Sequence, residues 1–364
     1  MGKPASLGRL MGVTAAVALA LSLPFSAARA ETEAEFFKGK TVRFVIGGGA
    51  GGGYDIYMRM LAPHFAKRLG VTAVPVNRPG AGMMLAMNQV YQSKPDGLTV
   101  FIAPGEAATI GALMGQEGLR FDMLKYPILA RINTAPRALI VNPKSPYKTI
   151  GDVINSKKPV WIGANGKIDG TADTTAIFCH ALKAPCRIAI GYPSSKEFSL
   201  AAVRGEVDGT VLVDDSASQF SAGGQLRPVV FTGRETSKLM PGVPTVFDQV
   251  KPDAEATWWI DFRDNLRKVG RLLMVPPGMS AERLAFMRQV TRDILTDLAI
   301  VAEFEGKAKP LQYAPPEEME AIIRDTLGGK ISEARVKEIR YVINEKFYGE
   351  GSYRGKKDKK KKQE

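Results

Sequence analysis

Cysteine and histidine are scarce in this chain, which holds two of each among 364 residues. The histidines, His64 and His180, lie far apart, and neither an HExxH spacing nor a second cysteine pair accompanies them. Zinc and related metals need clusters of such nitrogen and sulfur ligands. The sequence therefore predicts no metal site. A serine hydrolase triad is not predicted either, because no GxSxG motif is present.

The chain also lacks an apolar run of the twenty or so residues that a membrane-spanning helix needs. Its longest run, at positions 10–25, follows Lys3 and Arg9 and precedes the tripeptide Ala28-Arg29-Ala30. This order is typical of a secretory signal peptide with a small-residue cleavage site. We therefore expect residues 1–30 to be removed and the mature protein to work outside the cytoplasm. An uncleaved membrane anchor is the alternative.

Clusters of basic residues are absent from the body of the chain, although the formal net charge is +13. Three basic residues lie in the first thirty, and the lysine-rich tail, residues 354–364, carries a net charge of +5. Nucleic-acid binding needs basic residues grouped on one face or interleaved with aromatic residues. We therefore predict no nucleic-acid partner and a disordered, solvated tail. Weak attraction of the tail to an anionic membrane is the alternative.

The two cysteines, Cys179 and Cys186, stand at a predicted helix end and strand start. A disulfide is allowed in an oxidising compartment, and this spacing lets the two Cα atoms approach bonding distance. A bridge and two buried thiols are both compatible with the sequence.

Short β-type segments alternate with helical ones along the chain. This alternation predicts an α/β fold with mainly parallel sheets covered by helices. The strand-like segments are 42–46, 73–76, 99–103, 138–142, 160–163, 187–190, 209–213, 229–232 and 272–275. The helix-like segments are 55–69, 82–93, 107–114, 150–156, 172–182, 196–204, 280–298, 316–327 and 332–345.

The most informative stretch is 42–55, in which a strand pattern leads into six glycines and then a helix. Glycines let the main chain approach a ligand closely, and the first N–H groups of a helix have no intrahelical partner. The stretch therefore predicts an anion cradle. A flexible turn is the alternative.

The glycine stretch partly resembles two nucleotide-binding motifs, the dinucleotide motif GxGxxG and the phosphate loop. Gly47, Gly49 and Gly52 satisfy GxGxxG, but Asn77-Arg78 follows the second strand where a nicotinamide site would place Asp or Glu. The arginine could instead meet a 2′-phosphate, so the pattern alone leaves this site open. The expected compartment argues against it, because a secreted protein has little access to a soluble nicotinamide pool. A phosphate loop is excluded because Tyr54-Asp55, and no Gly-Lys-Ser/Thr, follows the glycines. We therefore predict no cofactor.

Several motifs, in this order, resemble the extracytoplasmic solute receptors of tripartite tricarboxylate transporters, the Bug family. They are GAGGGYDI, Asn77-Arg78-Pro79-Gly80-Ala81-Gly82, Lys94-Pro95-Asp96-Gly97, Gly205-Glu206-Val207-Asp208 and Pro241-Gly242-Val243-Pro244-Thr245. The resemblance implies a type II periplasmic-binding-protein fold, in which two lobes close over a ligand cleft. It also implies a periplasmic, monomeric receptor that delivers a small organic solute, a carboxylate, to a two-subunit membrane permease.

The resemblance further implies which positions line the cleft. In the family a ligand carboxylate is held largely by main-chain groups of the first glycine loop and of a loop in the other lobe. The implied positions here are Gly51, Gly52, Gly53, Tyr54, Asp55, Ala164, Asn165, Gly166, Lys167, Tyr192, Ser194, Ser195, Asp214, Asp215 and Ser216, together with the loop Pro104, Gly105 and Glu106.

The sequence departs from the family pattern at three places. Tyr54 stands where the family commonly has a small hydroxyl residue. Glu106 would repel a carboxylate ligand if it pointed inward; as a first-turn acid, it would instead be stabilised by the helix dipole. The chain also continues past the family's usual end.

The domain boundaries predicted from these patterns are residues 31–136 plus 232–328 for lobe 1 and 137–231 for lobe 2. A C-terminal helical extension follows at 329–353. Two other functions stay open: a ligand sensor for a signalling partner, and an enzyme acting on an anionic substrate. The enzyme would use Asp214, Asp215 or Glu106 as acid or base, although adjacent residues on a strand point in opposite directions.

Overall fold

The computed structural model describes residues 1–2, 31–167 and 169–353. The predicted signal peptide, apart from its first two residues, and the lysine-rich tail lie outside the described residues. The strands are β1 (Thr41–Ile46), β2 (Thr72–Asn77), β3 (Thr99–Pro104), β4 (Ile128–Asn133), β5 (Arg137–Val141), β6 (Val160–Gly163), β7 (Cys186–Ala189), β8 (Gly209–Val213), β9 (Arg227–Phe231) and β10 (Arg271–Met274).

The α-helices are α1 (Glu33–Phe37), α2 (Gly53–Leu69), α3 (Met84–Tyr91), α4 (Gly105–Leu113), α5 (Ile150–Ile154), α6 (Gly170–Ala181), α7 (Ser195–Val203), α8 (Asp214–Ala222), α9 (Val246–Gln249), α10 (Ala254–Leu266), α11 (Ala281–Thr296), α12 (Leu298–Gly306), α13 (Pro316–Leu327) and α14 (Glu333–Tyr341). Short 3₁₀ turns occupy Ala81–Met83, Met123–Lys125 and Arg267–Val269, and a π turn, Val342–Lys346, follows α14.

Two five-stranded sheets form the centres of two lobes. Their strand orders are β2-β1-β3-β10-β4 in lobe 1 and β7-β6-β8-β5-β9 in lobe 2. Helices cover both faces of each sheet with separate apolar clusters. This architecture confirms the predicted two-lobe α/β fold.

Each sheet is mainly parallel, as predicted, with one antiparallel strand inserted among four that run in the same direction. β1 pairs in parallel with β2 and β3, and β6 with β7 and β8. The antiparallel strands are β10, between β3 and β4, and β5, between β8 and β9. β5 and β10 each begin directly after the chain crosses between the lobes, at 134–136 and 267–270, so they enter their sheets from the opposite end.

The second crossing lies later than the predicted boundary at residues 231–232. α9 packs on α5, where Ile150 N donates to Gln249 Oε1 at 2.8 Å, and α10 packs on α6. Trp259, Ile260 and Leu266 of α10 are buried in the lobe 2 core. Burial of this apolar face therefore places residues 232–266 with lobe 2, and the assignment of this segment to lobe 1 was wrong.

The C-terminal extension is also built into lobe 2. Ile339, Val342, Ile343 and Phe347 are buried in its core. Ile188 N, on the edge strand β7, donates to Phe347 O at 3.0 Å. Because α13 packs on β4 of lobe 1, the extension links the two lobes a third time. The cysteine pair lies nearby: Cys179 and Cys186 form a disulfide that joins α6 to β7.

Candidate functional site

A cleft with about 690 Å³ of empty space lies between the lobes. It is lined by the segments that follow β1, β3, β4, β6, β7 and β8, and by residues of the second crossing. Ligand sites of open α/β sheets lie at such strand ends. The residues predicted from sequence that line it are Gly52, Gly53, Tyr54, Asp55, Glu106, Asn165, Ser194, Ser195 and Ser216.

The other predicted site residues do not line the cleft: Gly51, Pro104, Gly105, Ala164, Gly166, Lys167, Tyr192, Asp214 and Asp215. Gly166 is instead part of a contact between the lobes, since a Cβ atom there would lie 2.8 Å from Gly82 N. The Lys167 ammonium lies 5.0 Å from the centre of the Tyr348 ring.

The glycine loop, residues 47–53, joins β1 to α2 and forms one wall of the cleft. Gly51 has φ +76°, a conformation that favours glycine, and its N–H donates to Asp55 Oδ2 at 2.8 Å. Arg59 Nε and Asn77 Nδ2 each donate to Asp55 Oδ1 at 2.8 Å. Burial alone would raise the pKa of Asp55, but the bonds from Arg59, Gly51 and Asn77 lower it. Ionised Asp55 therefore fixes the loop.

Most N–H groups of this loop already have partners, which corrects the expectation of an open cradle. Gly49 N donates to Pro193 O at 2.8 Å, and Gly53 N to Ser195 Oγ at 3.2 Å, both across the cleft. Gly51 N is held by Asp55, as described above. Among the described residues, Tyr54 N and Asp55 N in the first turn of α2 have no hydrogen-bond partner. The first turn of α2 therefore keeps N–H donors for a ligand.

Glu106, at the start of α4, is neutralised by arginines and does not stand alone in the cleft. It is 5% exposed and forms ion pairs with Arg137 and, at 3.1 Å, with Arg263. Arg263 also binds Asp173 at 2.8 Å. Burial alone would raise the pKa of Glu106, but Arg137 and Arg263 lower it to about 2. The carboxyl is therefore ionised at neutral pH.

A second buried ion cluster connects the lobes near β10. Arg271 Nη1 contacts Asp215 Oδ2 at 2.6 Å, and Lys309 Nζ donates to Asp215 O at 2.7 Å. The guanidinium of Arg271 also lies over the rings of Tyr54 and Tyr57, 5.3 and 4.7 Å from their centres. Tyr54 and Arg271 therefore line the cleft side by side.

Asp214 and Asp215 do not face one another as a catalytic pair would. Ser237 Oγ donates to Asp214 Oδ2, whereas Asp215 is turned to Arg271. Burial raises the pKa of Asp214; burial would do the same for Asp215, but Arg271 and Lys309 hold its pKa well below the usual range. Each carboxylate thus has its own structural partner.

Sequence reasoning missed Asp169, which lines the cleft and is 8% exposed. It is the N-cap of α6, and its carboxylate accepts hydrogen bonds from Asn165 N at 2.9 Å and Thr171 N at 3.3 Å. Burial raises the pKa of Asp169 to about 6, although these bonds and Arg137 oppose the rise. An Asp followed by Gly-Thr before a helix is an N-cap signal that could have found it.

Asn133, Thr134, Arg137, Arg267 and Arg271 were also missed. They flank the two chain crossings between the lobes, at 134–136 and 267–270. Among residues 31–167 and 169–353 no group of histidine, cysteine, aspartate and glutamate side chains is arranged to hold a metal ion. Nor is any helix in these ranges both long enough and apolar enough to cross a membrane.

Comparison with known proteins adds a family match over residues 57–265, to the model described as "Tripartite tricarboxylate transporter family receptor". A UPF0065 protein of Bordetella bronchiseptica is 27% identical over 298 residues, which cover 80% of this chain and 82% of the relative. Protein BugT of Bordetella pertussis is 20% identical over 82% of this chain and 89% of its own length. The structure of MatC from Rhodopseudomonas palustris with bound malate superimposes with a TM-score of 0.68 at 18% identity, covering 82% of this chain and 98% of MatC.

Proposed function

The chain belongs to the tripartite tricarboxylate transporter receptor family, and we propose that it is a monomeric periplasmic receptor for a small carboxylate-bearing solute. The solute binds between the lobes and is delivered to a membrane permease of two subunits. The structurally similar MatC holds malate, a carboxylate of this size class.

The observation that carries this proposal is the position of the α2 N-terminus. Its first turn opens into the cleft, and Tyr54 N and Asp55 N have no partner there among the described residues. A helix N-terminus combines such donors with a partial positive charge, so it favours a carboxylate. Each bond to a charged group contributes on the order of 1.5 to 3 kcal/mol, which suits tight but reversible binding.

Contacts between the lobes supply the second part of the argument. Gly49 N and Gly53 N of lobe 1 donate to Pro193 O and Ser195 Oγ of lobe 2. These bonds join the two walls of the cleft directly beside the free donors of α2. Closure of two lobes is a common way for a receptor to present its loaded state to a partner.

An enzymatic role receives no support from the carboxylates considered for it. Glu106 is paired with two arginines, Asp215 with Arg271, and Asp214 with Ser237. The ionised carboxylates of Glu106 and Asp215, held in ion pairs, are poor proton acceptors and donors near neutral pH.

The test uses Gly52→Val. A Cβ atom at Gly52 would lie 3.2 Å from Ser194 Cβ and 3.3 Å from Ser195 Oγ, so the larger side chain blocks closure of the cleft. Solute released from the purified wild-type protein is identified by mass spectrometry and titrated back by calorimetry. We expect the variant to lose binding by at least about tenfold, or about 1.4 kcal/mol.

Gly306→Val is the matched control, because no atom lies within 4 Å of a Cβ built there. It should bind the solute like the wild type. Equal affinity of Gly52→Val and wild type for the released solute would contradict the placement of the site.

A further inference from the structure

The charges around the cleft are unevenly matched, and this mismatch points to the class of solute. The arginines that line the cleft are Arg137, Arg267 and Arg271. Each already has a resident carboxylate: Arg137 pairs with Glu106, Arg267 with Asp264 at 2.8 Å, and Arg271 with Asp215 at 2.6 Å. None of these arginines therefore offers an uncompensated charge to a second solute carboxylate.

Asp169 is in the opposite situation. It lines the cleft at 8% exposure, and no Lys, Arg or His nitrogen among the described residues lies within 4.0 Å of its carboxylate. Within residues 31–167 and 169–353, its hydrogen bonds come from the main-chain N–H groups of Asn165 and Thr171. An ionised carboxylate buried without a cation is costly unless something supplies the missing positive charge.

The neighbouring ion cluster supplies no net positive charge: its Arg137 lowers the pKa of Asp169, but its Asp173 raises it. It holds Glu106 and Asp173 against Arg137 and Arg263, so its charges balance. Together with Asp169, the four side chains of this ion cluster carry a net charge of −1. A solute with two carboxylates would bring a further anion toward it.

We propose that the solute is a zwitterion, whose carboxylate binds at the N-terminus of α2 and whose ammonium group binds Asp169. The inference rests on the proposed function and narrows its ligand class. The two ends of the cleft have opposite character: unpaired main-chain donors on the lobe 1 side and an unpaired carboxylate on the lobe 2 side. A small molecule with one charge of each sign satisfies both.

The test compares pairs of probes that differ only in replacement of one carboxylate by an ammonium group. The pairs are succinate with 3-aminopropanoate, glutarate with 4-aminobutanoate, and adipate with 5-aminopentanoate, so that length is scanned as well as charge. Calorimetry on the full mature protein should show the zwitterion binding about 10- to 100-fold tighter than its partner at the best length. A dicarboxylate that binds as tightly as its zwitterionic partner would overturn the inference.

Asp169→Asn separates the charge of this residue from its role as a helix cap, because asparagine also caps helices well. It should weaken binding of the best zwitterion by at least about tenfold and leave the dicarboxylates unchanged or tighter. The matched control is Asp253→Asn, at the N-cap of α10, whose Oδ1 accepts from Ala256 N. That variant should bind like the wild type.

The outcomes distinguish this inference from the proposed function. If the solute released from the wild type is a dicarboxylate whose binding Gly52→Val abolishes, the receptor function stands and the zwitterion proposal is wrong. If Asp169→Asn leaves zwitterion affinity unchanged, the proposal is wrong as well. If neither a released solute nor any probe binds, both fail.

Discussion

Replacement of Glu106 by glutamine should destabilise the protein far more than loss of a surface ion pair. Glu106 lies on lobe 1, and its partners Arg137 and Arg263 belong to lobe 2. The variant keeps the shape of the side chain but leaves two buried guanidinium groups with one carboxylate, Asp173, between them. The perturbation therefore tests whether the ion cluster holds the lobes together.

The magnitude follows from the pKa of Glu106, which falls from the ordinary 4.5 to about 2. Each pKa unit corresponds to about 1.36 kcal/mol, so the cluster stabilises the ionised form by about 3 kcal/mol. Removal of one partner from a buried pair typically costs about 3–5 kcal/mol. We expect Glu106→Gln to lower the free energy of unfolding in urea by about 3–5 kcal/mol at pH 7.

The matched control is Glu206→Gln. Glu206 also pairs with an arginine, Arg204 at 2.7 Å, but both side chains are about half exposed. Exposed pairs contribute about 0.2–1 kcal/mol, so this variant should unfold almost like the wild type. Because the folded pKa of Glu106 is depressed, its stabilisation should fade as the pH drops from about 4.5 toward 2. A loss below about 1 kcal/mol for Glu106→Gln at pH 7 would refute the reasoning.

Two further variants test other parts of the structure. The folded pKa of Asp169, about 6, exceeds its ordinary 3.8, so the folded state binds this proton more tightly and its stability falls as the pH rises through this interval. Asp169→Asn should therefore raise the unfolding free energy of the solute-free protein by about 2–3 kcal/mol at pH 7.5, and urea titrations that show no gain would contradict this. Phe347→Ala should cost about 3–5 kcal/mol in the same assay, because Phe347 is 4% exposed in the lobe 2 core. Tyr341→Ala, at a residue 52% exposed, serves as its control and should change stability by less than about 0.5 kcal/mol; similar losses in both would mean that the extension is not packed as described.

The segment from β1 to α2, residues 41–69, could be predicted well because its sequence signals are local. A strand pattern, a glycine run and a helix pattern follow one another, and β1, the glycine loop and α2 form in that order. The stripe Tyr57, Leu61 and Phe65 is spaced by four residues and is buried, as a helix on a sheet requires. The glycine loop therefore lies in the wall of the cleft, at the end of β1, where its sequence pattern predicted a binding loop.

The ion clusters could not be predicted, since their members are distant in sequence. Arg263 and Glu106 are 157 positions apart, and Lys309 and Asp215 are 94 apart. Sequence patterns indicate secondary structure and helix caps, but they do not show which buried acidic side chain pairs with which basic one. The occupied N–H groups of Gly49 and Gly53 were missed for the same reason, because their partners come from the other lobe.

The second crossing was misplaced because α10 was not predicted. Its sequence, AEATWWIDFRDNL, buries Trp259 and Ile260 and also the charged Arg263, so its buried face does not read as an apolar stripe. Arg263 is buried because Glu106 and Asp173 neutralise it. A charged residue on the buried face interrupts the apolar pattern from which helices are predicted, so such a helix is not recognised in the sequence.

The central claim is that a small solute binds between the lobes with its carboxylate at the first turn of α2. A crystal structure of the mature protein with the solute released from it tests this claim most directly. The account predicts density in the cleft, with a carboxylate oxygen within about 3.2 Å of Tyr54 N or Asp55 N. Density for the solute outside this cleft, or in it with no oxygen near these N–H groups, would contradict the account.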